Sequence, residues 1–432
     1  MATVIARDHN RYEVVQVINP DDRVLNVAIS SDPAANTSPT TDSFGRLRVS
    51  NPLTLFDSSH RYNDNGLWAT QTASSGAATF NSNQGLVDLS VTTTSGSKVI
   101  RETKKVFAYQ PGKSLLVLNT FTFNSAKTNL RQRTGYFGTA NGYYLELNNS
   151  TLSFVERTSV SGSVVNTAVS QADWNVDKLD GTGKSGLTLD ITKAQIFWAD
   201  YEWLGVGTVR LGFVINGQFV HCHSFHHANL VAGTYITTAS LPIRYEIENT
   251  GTTASSSTLK QICSSVISEG GYQLRGGQQS IGQLVTAPYS LTTAGTYYPV
   301  VSLRLKSTRL DAVVVLSALS AIGITNNVDY NIQLVKGGTT TGGTWVSAGA
   351  NSSVEYNISG TSFTGGTPVI SHYLRGAVQG SSPLTLPKEE LFKFQLERDS
   401  LTPTIYELTL TATASANASS VFGSLDWEEV GQ

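Results

Sequence analysis

Residues 208–225 read TVRLGFVINGQFVHCHSF. Val209, Leu211, Phe213 and Ile215 alternate along one face, Asn216-Gly217 supplies a two-residue turn, and the chain returns from Phe219. Asn-Gly between alternating runs is a strong hairpin signal, because both positions accept the positive φ that a type I′ turn requires. A period of two excludes a helix here. Immediately upstream, Ile196 to Trp203 is aromatic-rich. Phe197, Ala199, Tyr201 and Trp203 share one face, and Trp198, Asp200 and Glu202 share the other.

The same reading extends outward. Gly85–Val91, Lys98–Phe107, Ser114–Phe123, Tyr143–Leu147 and Thr151–Val155 are short apolar runs between turn signals. Tyr297–Leu305, Leu310–Leu316, Tyr330–Val335, Val354–Ile358, Phe392–Leu396 and Thr404–Thr411 repeat the pattern further on. Between the two groups lies a Gly/Gln stretch read as a linker. The fold class expected is all-β: an N-terminal extended arm followed by two β-sandwich (jelly-roll or lectin-like) domains. The boundaries are 1–50 for the arm, 51–275 for the large sandwich, 276–286 for the linker and 287–432 for the second sandwich. The arm carries two strand-like runs, Tyr12–Ile18 and Arg23–Ile29, and too little apolar mass for a core of its own. The acidic tail LDWEEVGQ reads as surface-bound. The glycine-rich stretches 337–343 and 360–367 read as loops.

Composition bounds the function. Charged residues are 14% and hydrophobic residues 40%, with 17 Tyr, 16 Phe and 6 Trp. That aromatic content excludes a disordered chain. A formal net charge of −2 lacks the basic footprint of a nucleic-acid binder. Cys222 and Cys263 are too few for a disulfide framework and read as buried thiols. No apolar run approaches the roughly 20 residues of a membrane span, and the charged N-terminus does not read as a signal peptide. Neither a nucleic-acid nor a membrane partner is expected.

Three constellations invite chemistry. His221, His223, His226 and His227 cluster at the hairpin's end, and a regular strand would put His221 and His223 on one face, a permitted metal spacing. Polar packing is the favoured reading. Asp200 and Glu202, like Glu246 and Glu248, stand about 7 Å apart on a strand face, within the range of a glycosidase pair. Trp198 beside Asp200 and Glu202 suits a glycan contact better than hydrolysis. Lys127, Arg131 and Arg133 form a basic patch beside Tyr136 and Phe137, read as a solvated face or subunit contact. No nucleophile elbow or phosphate cradle is present, so no catalytic residue and no cofactor are assigned.

Residues 42–68, DSFGRLRVSNPLTLFDSSHRYNDNGLW, resemble a segment recurring in virion structural proteins of tailed bacteriophages, above all marine and cyanobacterial ones. The resemblance continues through Arg101–Lys104 (RETK), Tyr109–Lys113 (YQPGK) and Ile267–Tyr272 (ISEGGY) and covers about two-thirds of the chain. It also favours a strand over a helix for Thr258–Ile267, whose apolar spacing alone is ambiguous. The resemblance implies a non-enzymatic virion protein assembled in the host cytoplasm and acting in assembly or attachment, at the tail or baseplate. A capsid decoration or head-fibre protein, or a lectin-like receptor-binding module, are the alternatives. Other virion proteins and copies of itself, as a homotrimer, are the expected partners, with a host surface glycan as a further one. The docking arm would be Phe44, Arg46, Leu47, Arg48, Val49 and Leu55.

Overall fold

A computed structural model describes residues 52–273, 275–376, 394–402 and 405–430, together with the backbones of short strands at Thr3–Arg7, Glu13–Ile18, Leu25–Asn26 and Leu384–Thr385. The chain is all-β, in antiparallel sheets. In the first half, one seven-stranded sheet runs edge to edge Val165–Ser170, Thr151–Thr158, Gly142–Asn148, Leu130–Phe137, Ile243–Asn249, Lys98–Thr103, Trp68–Ala73. Opposite it lies an eight-stranded sheet: Gln218–Phe225, Val209–Ile215, Gln195–Tyr201, Ser114–Thr122, Ser257–Glu269, Leu86–Val91, Ala77–Asn81, with Leu53–Ser59 also paired to Ser257–Glu269. Alternate residues of both sheets meet in one buried cluster dense in rings, among them Phe121, Tyr136, Tyr143, Phe154, Phe197, Tyr201 and Phe213. That is a sandwich. Phe154 stacks on Trp174 at 4.2 Å between ring centroids and on Phe197 at 5.9 Å. Thr258–Ile267 falls inside a 13-residue strand, and Asn216 and Gly217 take the positive φ that their turn requires.

The second half repeats the architecture with smaller side chains. A five-stranded sheet is built around Ser419–Val430, which pairs with Gly277–Gly282, Tyr289–Leu291 and Val313–Gly323. A six-stranded sheet runs Val346–Ser347, Val354–Asn357, Tyr298–Leu305, Leu408–Ala414, Asp329–Thr341, Ser362–Arg375. Leu, Val and Ala dominate the core between them.

Three expectations are corrected here. The supposed linker 276–286 contains strand Gly277–Gly282. Gly276 is needed there because a Cβ would lie 2.0 Å from the Glu429 carbonyl oxygen. The acidic tail, as far as Val430, belongs to a central strand in which Leu425 and Trp427 fill the core. The Glu429 carboxylate accepts from the Ser353 N–H at 2.6 Å and the Trp427 Nε1–H at 3.2 Å. The glycine-rich stretches 337–343 and 360–367 lie largely in the paired strands Asp329–Thr341 and Ser362–Arg375. Gly338 lets the Phe363 ring lie against the backbone, since a Cβ there would be 2.1 Å from it.

The two halves are joined by a third apolar cluster, Val106, Ala108 and Tyr272 against Val313 and Val315. Residues 394–402 strap across it. The Arg398 N–H donates to the Lys104 carbonyl at 2.9 Å, and Gln395 Nε2 donates to the Val106 carbonyl at 2.8 Å. The Arg398 guanidinium reaches Glu102 at 2.6 Å and Asp311 at 3.0 Å. Arg244 approaches Glu102 from its own sheet at 3.6 Å. Glu102 is fully buried, so this geometry is what makes its charge tolerable.

Candidate functional site

The four histidines are separated by a register shift. Leu211 pairs with His223 and Gly212 with His221, so Cys222 is an extra residue in its strand. The bulge undoes the shared face expected of His221 and His223. His221 packs against Trp198 at 5.8 Å and its Nε2 meets Ser224 Oγ at 2.9 Å. His223 stacks on Phe154 of the core and accepts from the Asn175 N–H at 3.3 Å. Burial, reinforced by Arg210 beside His221 and by His226 beside His223, holds both imidazoles neutral, with pKa values lowered to about 4. His227 lies 2.6 Å from the Glu156 carboxylate and stacks on Tyr235 at 3.7 Å. Among the described residues, no group of three or more His, Cys, Asp or Glu side chains is placed to hold a metal ion. The histidine residues do not fit a metal clip.

Trp198, Asp200 and Glu202 have relative exposures of 5%, 1% and 4%. Trp198 packs against Gly212, where a Cβ would stand 2.9 Å from the ring, and against Phe219 at 5.6 Å. Asp200 is ion-paired to Arg210, whose Nε donates at 3.0 Å. Glu202 closes on Gly207. The expected glycan platform therefore presents no open face. Glu246 sits among Arg133 at 3.2 Å and Arg244 at 3.5 Å, and the charge of Arg244 and Arg133 outweighs burial in holding its carboxyl below the usual range. Arg131 pairs with Glu248, so the basic patch is a charge-matched sheet face.

Of the arm, Phe44, Arg46, Leu47, Arg48 and Val49 lie outside the described residues. Leu55 belongs to strand Leu53–Ser59 and packs against the first core. Cys222 is buried as expected, and burial pushes its thiol pKa up; Cys263 is exposed.

Two surface features were not foreseen. A groove of about 340 Å³ runs along the outer face of the eight-stranded sheet, lined by Asp57, Ser59, Leu118, Thr120, Ile196 and Ser265 among others. A one-residue bulge between Gln261 and Ser264 sets Cys263 outward at its rim. Ser and Thr on alternate outward positions were the available signal. The second feature is the edge strand Ser362–Arg375, exposed along nearly its whole length. Among the described residues it is bonded on one side only, to Asp329–Thr341. Tyr373 is 77% exposed and Val369 42%. Its signal was a run with no charge before Arg375.

No family model matches the chain, and no curated protein matches it. Solved structures do resemble it. The carbohydrate recognition domain of Emp47p is 13% identical over 50% of this chain and 96% of that one, with a TM-score of 0.32. A protein of unknown function from Shewanella oneidensis MR-1 is 11% identical over 55% and 93%, with a TM-score of 0.34. A legume lectin-like domain from Entamoeba histolytica is 11% identical over 50% and 98%, with a TM-score of 0.30. At such TM-scores the likeness carries no functional information.

Proposed function

We propose that the protein is a non-enzymatic assembly and attachment protein built from two β-sandwich domains. Its class is that of the tailed-phage virion proteins which residues 42–68 resemble, acting at the tail or baseplate. The observation that supports it is the edge strand Ser362–Arg375. An unpaired edge offers a row of N–H and C=O groups to another chain, and native proteins usually guard such edges with charges. Here only Arg375 does so. Edge addition would supply affinity through the backbone, while Val369 and Tyr373 set the register. The Gly365-Gly366-x-Pro368 irregularity confines the regular edge to 369–375.

The test is mass spectrometry and cryo-EM of purified phage particles carrying this gene product. Stoichiometric presence with density for two sandwiches supports the reading, and absence from particles ends it. Density on the capsid would exchange tail for decoration.

A second reading, a glycan-binding module, is favoured by the hydroxyl-lined groove beside Leu118 and Ile196. Hydroxyls and a carboxylate around an apolar floor suit a sugar's two kinds of surface. Glycan-array binding that disappears in Thr120→Val and Ser265→Val would support it. A blank array would remove it.

A further inference from the structure

We propose that one end of the first sandwich, formed by residues 159–164, 203–208 and 226–242, is a contact surface for a second copy of this chain. This inference rests on the assembly reading and names a surface for it other than the edge strand. The first two connections each join neighbouring strands, the third crosses from the eight-stranded sheet to the seven-stranded one, and the three lie side by side. The Tyr235 N–H donates to the Gly205 carbonyl at 2.9 Å, and Thr234 abuts Gly205. Asn141 ties the third in: its Nδ2 donates to Thr237 Oγ1 at 2.7 Å, and its Oδ1 accepts from the Ser159 N–H at 3.3 Å.

Each connection raises aliphatic side chains into solvent. Leu230 is 72% exposed, Val164 50%, Leu204 47%, Val160 45% and Val231 42%. Leu204 does so from a φ of +41°, a left-handed conformation that a leucine rarely adopts. Strain of this kind persists only where the surroundings enforce it, and it gathers at functional positions. The base beneath is rigid. His227 donates from Nδ1 to the Gly207 carbonyl at 2.5 Å, pairs with Glu156 and stacks on Tyr235. The tips are therefore presented in a fixed arrangement, which lowers the ordering cost of binding.

Charge selects the occupant. No Asp, Glu, Lys or Arg occurs in 159–164, 203–208 or 226–242, against 14% for the chain. An anionic membrane would call for Lys or Arg near the tips, and a charged partner for its complement. A symmetric contact sets the same patch on both sides, so an uncharged patch meets an uncharged patch and no charge is buried without a partner. An apolar, uncharged, preformed end is what that contact needs.

Sedimentation velocity of the full chain over a concentration series tests this, on the wild type, Leu204→Ser/Leu230→Ser, Leu230→Ser alone, and Val369→Lys at the edge strand. Thermal melts check that each variant folds; Leu230→Ser, at the most exposed tip, serves if the double variant does not. The expected result is self-association shifted about tenfold or more to higher concentration by the leucine variants and unchanged by Val369→Lys. Self-association that survives the leucine changes but is lost in Val369→Lys overturns the inference and leaves the assembly reading standing. A wild type that stays monomeric also overturns it, and co-sedimentation of that monomer with phosphatidylcholine vesicles would make the surface a lipid contact. Absence from particles, by contrast, bears on the assembly reading alone.

Discussion

The two halves of the chain solve one packing problem with different residues. The first buries rings, and many of those rings carry a polar atom. The Tyr136 hydroxyl has the carbonyls of Phe107 and Ala239 to donate to, both at 3.2 Å, and Tyr245 donates to the Cys263 carbonyl at 3.2 Å. The second core is aliphatic, with Tyr330 and Trp427 its only fully enclosed rings among the described residues. Its outward hydroxyls bond one another, as Ser302 does with Thr340 at 2.7 Å and with Thr409 at 3.1 Å. The ring-rich half buries tyrosines and histidines; the titratable groups buried in the aliphatic half are mainly carboxylates, among them Glu407, Glu428 and Glu429.

Acid should separate the halves most sharply. His60, His221 and His223 all lie in the first half with pKa values lowered to about 4, mainly by burial. The unfolded chain takes up these protons first. Their contribution is complete above the ordinary value of 6.5 and is lost as pH falls toward 4. Each should cost roughly 2 kcal/mol at pH 5. In the second half, burial raises the pKa of Glu407. There the folded state takes the proton first, so acidification adds stability. Denaturant titrations at pH 7 and pH 5 should show the first half's transition moving down while the second half's does not. Equal losses in both would break the comparison.

Phe154→Ala comes next. It removes a ring shared by Trp174, Phe197, Phe213 and His223 and should cost about 4 kcal/mol, seen as a lower denaturation midpoint for the first half alone. Arg398→Ala should cost ~3 kcal/mol, because it leaves buried Glu102 without its closest charged partner, and should lower the midpoint of the first half's transition. Adding Glu102→Gln should recover part of that loss. The smallest effect belongs to the exposed thiol. Cys263→Ser should change stability by less than about 0.5 kcal/mol, and a thiol reagent should modify Cys263 in the folded protein while sparing Cys222.

What could be read beforehand follows from the range of the interaction involved. The hairpin 208–225 was legible because its turn and alternation are local. The bulge at Cys222 was not, since a register shift depends on the partner strand, and with it went the shared face of His221 and His223. Trp198, Asp200 and Glu202 were placed on the correct side of their strand. Their enclosure by Gly212, Phe219 and Arg210 comes from neighbouring strands. The tail was misread through its acids, although Val421, Gly423, Leu425 and Trp427 alternate as plainly as the hairpin does. Its glutamates are held by distant groups such as Ser353, which no local pattern discloses. Glycines that suggested loops at 337–343 instead admit a ring from across the sheet.

Strand Ser419–Val430 has a consequence for synthesis. It is the centre of the five-stranded sheet, and its partners Gly277–Gly282, Tyr289–Leu291 and Val313–Gly323 are made well before it. A nascent chain grown as far as residue 418 holds every described strand of the first sandwich, so that half can close while translation continues. The five-stranded sheet of the second half meanwhile waits with its central strand missing, although every strand of the six-stranded sheet precedes residue 418. The folded first sandwich keeps that waiting segment tethered beside the surface of Val106, Ala108 and Tyr272, where it will finally dock.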